Sequence, residues 1–369
     1  MQRRAFALIF SLGLVFSFFS STALAQYQLT NLDSNQFGRA TNDDPLMVNG
    51  WGMARSGTSP WWISDQGSGW STLYDGQGAK QGLVVSIPAA AGLPVGQPTG
   101  IVFNPSTTGE FPVEGAQSVF IFDSLDGVIS GWAPAAGLFA AHIALDNSGS
   151  KASYTALAIT NKPSGNFLYA VDNAHNAVDI YDGTWALKGT FAADPNIPSG
   201  FSAFGIRDMN GTVYVAFAAN DGGPGGFIDT FKEDGTLIGT FAQGRGLNQP
   251  WGFAVAPANF GQFSNMLLIS NNNDFGTIVA FNSKGQFVGT LRHDGRPIII
   301  DQLWAIDFGG GSSNNGATNA LFFTAGPHNN LAGTYGVVVP GENQGDPGNH
   351  GVLPAKPARR AMLGVRHNQ

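Results

Sequence analysis

Six loop segments rich in Asp, Asn and His recur along this chain of 369 residues: SDQGSGW, DSLDG, DNAHNA, ANDGGPGG, NNNDFG and GPHNN. Carboxylate and amide oxygens, with a few imidazoles, can hold Ca²⁺ or another divalent cation. A bound cation can polarise a carbonyl group or activate water. The candidate ligand-binding residues are Asp65, Asp123, Asp126, Asp172, Asn173, His175, Asn220, Asp221, Asn272, Asp274, His328 and Asn329.

A smaller set of these residues could form a metal site, with Ca²⁺ or another divalent cation as the candidate cofactor. The two histidines, His175 and His328, are the candidate general bases or further ligands. A structural role is the alternative, because Asp and Asn side chains often cap nearby backbone amides in turns. The candidate metal ligands are Asp65, Asp123, Asp172 and Asp274.

Composition and motifs exclude several kinds of site. The chain has no cysteine, which removes disulfides, thiolate metal sites and cysteine catalysis. The formal charge of −7, or −9 without Arg3 and Arg4, opposes nucleic-acid binding. No HExxH, GxSxG, Walker or EF-hand pattern is found, so the sequence identifies no catalytic residue.

A repeated phrase predicts the elements that position these loops. In each repeat, a small or apolar residue begins an alternating β-strand, as in Trp51-Gly52, Trp251-Gly252 and Trp304-Ala305. The repeat positions 52, 100, 157, 205, 252 and 305 are 47 to 57 residues apart. Two or three further short β-rich runs follow each phrase, and turn sequences such as Asp-Gly separate them.

Six units of four short strands predict an all-β, six-bladed β-propeller. The last unit lacks a fourth strand, which residues 27–32 can supply to close the ring. We expect the small residue to let the inner strands approach each other near the axis. We expect the bulky residue before it, such as Trp251, to pack between blades or at the rim.

The two ends of the chain differ from the repeats. Residues 1–25 combine Arg3-Arg4, an apolar run and Ala23-Leu24-Ala25, a pattern typical of a secretory signal peptide. No later segment of the sequence predicts a membrane span. The propeller is then predicted over residues 26–340, and residues 341–369, rich in Pro and Gly, are predicted to be a flexible tail.

The phrases LYAVDNAHNAVDIYDG and QPWGFAVAP resemble NHL-type propeller repeats, which implies a fold and not a function. The longer phrases FIFDSLDGVISGW and GLNQPWGFAVAPANFGQFSNMLLISNN resemble an uncharacterised family of secreted bacterial propellers. Some members of that family carry PEP-CTERM tails, but this chain lacks the Pro-Glu-Pro motif and the terminal apolar segment. The resemblance implies no activity and no catalytic residue.

The functional hypothesis is an exported binding or scaffold protein of the cell envelope or extracellular space, with its ligand at a polar channel mouth. Its partner would be an envelope or extracellular protein or glycan, and the protein itself is expected to be a monomer. The alternative hypothesis is a metal-dependent hydrolase or lyase of the lactonase-like propeller type. A partner surface on the sides of the blades is a third possibility.

Overall fold

The computed structural model describes residues 27–341, which form six blades of antiparallel strands around a central axis. The predicted six-bladed β-propeller is confirmed. The predicted signal peptide and nearly all of the predicted C-terminal tail lie outside the described residues. Within residues 27–341, no helix is long and apolar enough to cross a membrane.

The strands are short, as expected where Gly, Pro, Asn and Asp end each alternating run. The chain begins with β1 (Tyr27–Ser34) and β2 (Asn42–Asp43). Blade 1 contains β3 (Gly50–Ala54), β4 (Trp61–Asp65), β5 (Trp70–Tyr74) and β6 (Lys80–Ser86). Blade 2 contains β7 (Pro98–Phe103), β10 (Phe120–Ser124), β11 (Val128–Trp132) and β12 (His142–Asp146), with an inserted hairpin of β8 (Pro112–Val113) and β9 (Ala116–Gln117).

The next two blades have no inserted strands. Blade 3 contains β13 (Tyr154–Ile159), β14 (Phe167–Asp172), β15 (Ala177–Asp182) and β16 (Leu187–Thr190). Blade 4 contains β17 (Phe201–Met209), β18 (Thr212–Ala219), β19 (Phe227–Lys232) and β20 (Leu237–Gln243).

The last two blades are joined by a small hairpin of β25 (Arg292–His293) and β26 (Arg296–Pro297). Blade 5 contains β21 (Pro250–Val255), β22 (Leu267–Asn271), β23 (Ile278–Phe281) and β24 (Phe287–Thr290). Blade 6 contains β27 (Leu303–Phe308), β28 (Leu321–Ala325) and β29 (Thr334–Pro340). The short helical turns are Ser148–Ser150, Gly261–Phe263 and Pro327–Asn330.

Strand β1 is the fourth strand of blade 6, as predicted from the sequence. It pairs antiparallel with β29, from Tyr27 opposite Pro340 to Ser34 opposite Thr334. The buried Tyr27 side chain reaches towards blade 5, where its hydroxyl donates a hydrogen bond to the Phe260 carbonyl oxygen at 2.8 Å. The N-terminal strand therefore closes the ring and covers the edge that β29 would otherwise expose.

Most of the apolar core lies between neighbouring blades. One buried cluster joins blades 1 and 2, and others join blades 2 and 3, blades 4 and 5, and blades 5 and 6. The largest cluster continues across the axis. We call the face on which the inner strands begin the upper face, and the opposite face the lower face.

Candidate functional site

The inner strands carry a repeated irregularity near their upper ends. In every blade, the pairing between the first and second strands shifts by one residue, which is a β-bulge. A bulge changes the direction in which a side chain points. The bulged segments contain Trp51, Thr99, Thr155, Phe204, Trp251 and Trp304.

The small residue after the bulge permits close contact between inner strands. A Cβ atom on Gly52 would lie 2.3 Å from the Thr99 carbonyl oxygen, and one on Gly205 would lie 2.0 Å from the Trp251 carbonyl oxygen. These contacts agree with the expected reason for the repeated small residue. In blade 3, however, the register places Ala156 at this position, so the sequence alignment that used Leu157 was wrong by one residue.

Aromatic side chains from the bulges close the central channel. The Trp304 ring stacks on Trp51 with 3.6 Å between ring centroids, and it contacts Trp251 and Phe204 at 5.8 Å each. The Trp251 indole N–H of blade 5 donates to the Thr155 carbonyl oxygen of blade 3 across the axis. We call Trp51, Phe204, Trp251 and Trp304 the aromatic plug. The expectation that Trp251 packs between blades or at the rim is corrected, because the bulge turns the side chain towards the axis.

Two of the candidate carboxylates, Asp65 and Asp123, are fully buried and bind groups of the protein itself. Asp65 is fully buried, and its Oδ2 accepts hydrogen bonds from the Thr72 hydroxyl at 2.6 Å and the Thr72 N–H at 3.1 Å. Burial raises the pKa of Asp65 well above its usual range, although the Thr72 hydroxyl opposes this shift. Asp123 accepts from the Gly100 N–H and the Thr99 hydroxyl, and burial raises its pKa to about 7.

The remaining carboxylates and amides of the predicted set lie on the upper face in separate loops. Asp126 accepts from the Ala90 N–H at 2.7 Å, and Asp221 accepts from the Gly223 N–H at 2.9 Å. Asp274 accepts from the Gln302 side chain at 2.8 Å. The three predicted asparagines bind backbone carbonyl oxygens. The side chains of Asn173 and Asn272 donate to Ala203 and Leu303, respectively. The Asn220 backbone N–H donates to the Gly200 carbonyl oxygen.

Asp172 and His175 form a close pair on the upper face. Asp172 Oδ2 lies 2.6 Å from His175 Nδ1, while Asp172 Oδ1 accepts from the backbone N–H groups of Ser153 and His175. The hydrogen bond to Asp172 raises the pKa of the exposed His175 imidazole, and the negative charge of Asp172 adds to the effect. The carboxylate therefore orients the ring and stabilises its protonated form.

The four candidate metal ligands do not converge. Each of the four binds a different group of the protein: the partners of Asp65, Asp123, Asp172 and Asp274 are Thr72, Thr99, His175 and Gln302. Across the described residues, no group of three or more His, Asp or Glu side chains is arranged to hold a metal ion. The physical reason is that these carboxylates turn towards nearby hydroxyl and amide donors rather than towards a common point.

A row of amide side chains at the mouth of the channel was missed by sequence reasoning. The Trp304 indole donates to Asn49 Oδ1 at 2.9 Å, Asn49 Nδ2 donates to Gln66 Oε1 at 2.8 Å, and Gln66 Nε2 donates to Gln97 Oε1 at 3.3 Å. This amide chain crosses blades 6, 1 and 2 directly above the aromatic plug. The available signal was position: Asn49, Gln97, Gln249 and Gln302 each directly precede an inner strand.

The loop of blade 6 has an unusual backbone conformation beside this mouth. His328, Asn329 and Asn330 have φ values of 59°, 56° and 65°, so three consecutive residues are left-handed. This conformation costs most residues other than glycine about 1–2 kcal/mol, and Asn adopts it more readily than His. The Asp301 carboxylate accepts from the His328 backbone N–H at 3.0 Å and helps to hold the turn. Strained turns of this kind are common at ligand sites.

A cavity of about 270 Å³ occupies the lower part of the channel, below the aromatic plug. The lower halves of all six inner strands line it, together with Trp251. Arg55, Arg207, Asp208 and Asp307 lie around its opening. Sequence reasoning placed the site at the opposite end of the channel and did not identify these charged residues.

Comparisons with known proteins support the fold and leave the function open. No known protein-family profile matches the chain. An uncharacterized protein of Acanthamoeba polyphaga mimivirus is 28% identical over 338 residues, covering 86% of this chain and 81% of that protein. A second uncharacterized mimivirus protein is 30% identical over 229 residues, covering 57% of this chain and 42% of its own length.

Two solved structures share the propeller fold at low sequence identity. A gluconolactonase from Xanthomonas campestris aligns with a TM-score of 0.52 and 14% identity, over 80% of this chain and 88% of the enzyme. A virginiamycin B lyase from Staphylococcus aureus aligns with a TM-score of 0.52 and 13% identity, over 85% of this chain and 99% of the lyase. At these identities, the likeness shows a common fold alone.

Proposed function

We propose that this protein is a binding propeller whose upper face holds an uncharged, hydroxyl-rich ligand, such as a glycan chain, at the mouth of the channel. The observation that carries this proposal is the amide chain of Asn49, Gln66 and Gln97 above the aromatic plug. Amide side chains both donate and accept hydrogen bonds without carrying charge. Ligand hydroxyl groups have the same two capacities, so the two surfaces are complementary.

An unpaired acceptor near this mouth supports the same ligand chemistry. The buried Asn330 Oδ1 has no hydrogen-bond partner within residues 27–341. It lies in the left-handed turn, and a Cβ atom on Gly326 would lie 2.5 Å from it and 2.1 Å from Asn49 Oδ1. An unpaired buried acceptor is costly, and a ligand hydroxyl that reached Asn330 Oδ1 after a shift of the left-handed turn would remove that cost.

An exposed aromatic ring beside polar side chains completes this surface. Phe275 is 74% exposed and follows Asp274, whose carboxylate accepts from Gln302. An aromatic face can stack on the apolar face of a sugar ring while neighbouring polar groups bind its hydroxyls. The proposed ligand surface therefore runs from Phe275 of blade 5 over the mouth to the amide chain of blades 1 and 2.

Calorimetric titration with dextran, xylan and chito-oligosaccharides tests this proposal. We expect at least one of them to bind, and we expect Phe275→Ala and Gln302→Ala each to weaken that binding about tenfold or more. Lys284→Ala is the matched control, because Lys284 is exposed in the turn between β23 and β24 on the lower face of the same blade. No glycan binding, or equal weakening by the lysine substitution, would contradict the proposal.

A hydrolase or lyase is the second candidate function, and the Asp172–His175 pair favours it. An imidazole oriented by a carboxylate is a common arrangement for general acid–base catalysis. If this activity exists, His175→Ala will abolish turnover of a lactone or cyclic ester substrate, while His293→Ala, an exposed histidine elsewhere, will not. Unchanged turnover in the His175 variant would remove this candidate.

We also propose that the chain is exported and that cleavage follows Ala25, as the N-terminal sequence pattern supports. Expression of the full chain in a bacterial host, followed by fractionation and mass spectrometry, provides the test. The expected mature N-terminus is Gln26 in the extracytoplasmic fraction. Recovery of an intact N-terminus in the cytoplasm would contradict export.

A further inference from the structure

The cavity in the lower channel has the properties of a binding site on the face opposite to the proposed glycan surface. Each inner strand is an edge strand of its sheet, so its free edge faces the axis. The aromatic plug closes the upper end, because Trp251 lines the cavity and makes an edge-to-face contact with Trp304, the central ring of the plug. The cavity is therefore a blind pocket that opens only towards the lower end of the inner strands.

The size of the cavity limits its occupant to a small molecule. A volume of about 270 Å³ corresponds to about nine water molecules at about 30 Å³ each. Most of the wall near the plug is backbone, glycine and aliphatic residues such as Met53, Ile101 and Ile206. A compact molecule with an apolar part could fill this inner region.

Arg55 is held rigidly at the opening. Its Nε and Nη2 donate to the Phe308 carbonyl oxygen at 3.1 and 2.7 Å, and its Nη1 donates to the Ser56 carbonyl oxygen at 3.2 Å. The guanidinium also lies over the Trp61 ring, 5.1 Å from its centroid. These contacts are with neutral groups, so they orient the positive charge without neutralising it. The guanidinium retains N–H groups for a further acceptor.

Arg207 and Asp307 meet across the same opening from blades 4 and 6. Arg207 Nη2 lies 2.9 Å from Asp307 Oδ2, while Asp307 Oδ1 accepts from the Phe308 N–H. One contact leaves most of the Arg207 donors free. Arg55, Arg207 and Asp307 together carry a net charge of about +1. Asp208, at the outer edge, accepts from the Gly211 N–H and makes the opening as a whole neutral.

We propose that this cavity binds a small organic carboxylate, whose oxygens accept hydrogen bonds from Arg207 and Arg55 while its carbon skeleton fills the blind end below the aromatic plug. The guanidinium group matches the planar geometry of a carboxylate. The single negative charge of a carboxylate would balance the net charge of about +1 on Arg55, Arg207 and Asp307. A dianion such as phosphate would leave these three inner groups with an excess of negative charge beside Asp307.

The test uses the protein of residues 26–369 and three probes: acetate, lactate and pyruvate. Thermal unfolding and calorimetric titration are measured against sodium chloride at equal ionic strength, with glycerol as a neutral analogue and phosphate as a dianion. We expect lactate or pyruvate to bind and to stabilise the fold more than chloride, glycerol or phosphate. Binding no better than chloride, or tighter binding of phosphate, would overturn the proposal.

Two substitutions with opposite expected effects locate the site. Arg207→Gln should weaken carboxylate binding at least about tenfold, the size expected from losing a charge-assisted hydrogen bond. Asp307→Asn should strengthen it, because the Asp307 carboxylate competes with the ligand for Arg207. Arg245→Gln is the control, since Arg245 is an exposed arginine in the loop between blades 4 and 5.

Each outcome of the substitutions decides the proposal. Equal weakening by Arg245→Gln, or weaker binding by a folded Asp307→Asn protein, would contradict it. If Arg207→Gln fails to fold by circular dichroism, the Asp307→Asn affinity decides alone. The result is independent of glycan binding, because Phe275 and Gln302 lie on the upper face.

Discussion

Asp65 and Asp123 follow β-rich runs at the positions where a channel-mouth carboxylate was expected, yet both are buried and bound to nearby donors. The preference of Asp for backbone and hydroxyl donors in turns explains this outcome. Gln66, the residue after Asp65, belongs to the amide chain at the mouth instead. At the residue scale, a shift of one position along the chain separates a structural carboxylate from a group that can contact a ligand.

Gly205 tests the close approach of the inner strands. Gly205→Ala places a Cβ atom about 2.0 Å from the Trp251 carbonyl oxygen, so the backbone must move. We expect the free energy of unfolding, measured with urea, to fall by about 1–3 kcal/mol. Gly82→Ala on strand β6 is the matched control, because its Cβ would meet no atom within 4 Å. An equal loss in both variants would contradict the assigned role.

At the scale of the element, the buried carboxyl group of the closing strand β1 makes the stability of the fold depend on pH. Asp33 of β1 is 1% exposed, and burial, with the nearby charge of Asp44, raises its pKa to about 7 although Lys80 opposes the shift. Lys80 itself pairs with Asp44 at 2.7 Å. The folded chain therefore holds a proton on Asp33 over a pH range in which the unfolded chain has released it.

The sign of the pH effect follows from this difference. Because the folded state binds more protons between about pH 4 and 7, its free energy of unfolding falls as pH rises through that range. Asp33→Asn should remove the contribution of this carboxyl group to the pH dependence. It should also raise the free energy of unfolding at pH 8 by roughly 1–2 kcal/mol. The measurement is urea unfolding from pH 5 to 8. Asp294→Asn, at an exposed turn, is the control and should change neither the stability nor its pH dependence.

Removal of β1 tests the closing strand directly. A chain that begins at residue 35 would leave the seven-residue edge of β29 unpaired, and we expect it to unfold at lower temperature or to aggregate. A peptide of residues 27–34 should restore the melting temperature, because it pairs with the same edge. The same peptide with Tyr27→Ala should restore it less, since it lacks the contacts to Phe260 and Phe263. A truncated chain as stable as the parent would contradict the role of β1.

At the scale of the whole molecule, the aromatic plug joins distant blades and divides the channel into two sites. Blades 1, 4, 5 and 6 contribute its four rings, and the Trp251 indole also contacts blade 3. The amide chain lies above the plug, and the lower side of the plug forms the closed end of the charged cavity. A ligand in one site is therefore separated from a ligand in the other.

Trp304 is the centre of this arrangement. Trp304→Ala should lower the free energy of unfolding by about 3–5 kcal/mol, because it removes a fully buried ring that contacts three others. Trp304→Phe should lose only about 1 kcal/mol of this stability if the ring packing is preserved and only the hydrogen bond to Asn49 is lost. Equal losses for the two variants in urea unfolding would contradict a packing role for the indole.

The sequence alone determined the number of blades, the strand pattern and the closing strand, because each follows from local alternation and turn residues that recur every 47 to 57 positions. It also located the small residues at which inner strands meet in every blade except blade 3, where the position is Ala156 and not Leu157. The tertiary structure decided where the side chains point. The bulges turn Trp51 and Trp304 towards the axis, and the ring brings Arg207 within 2.9 Å of Asp307, a residue 100 positions away. Such contacts depend on closure of the whole ring, and no local pattern encodes them.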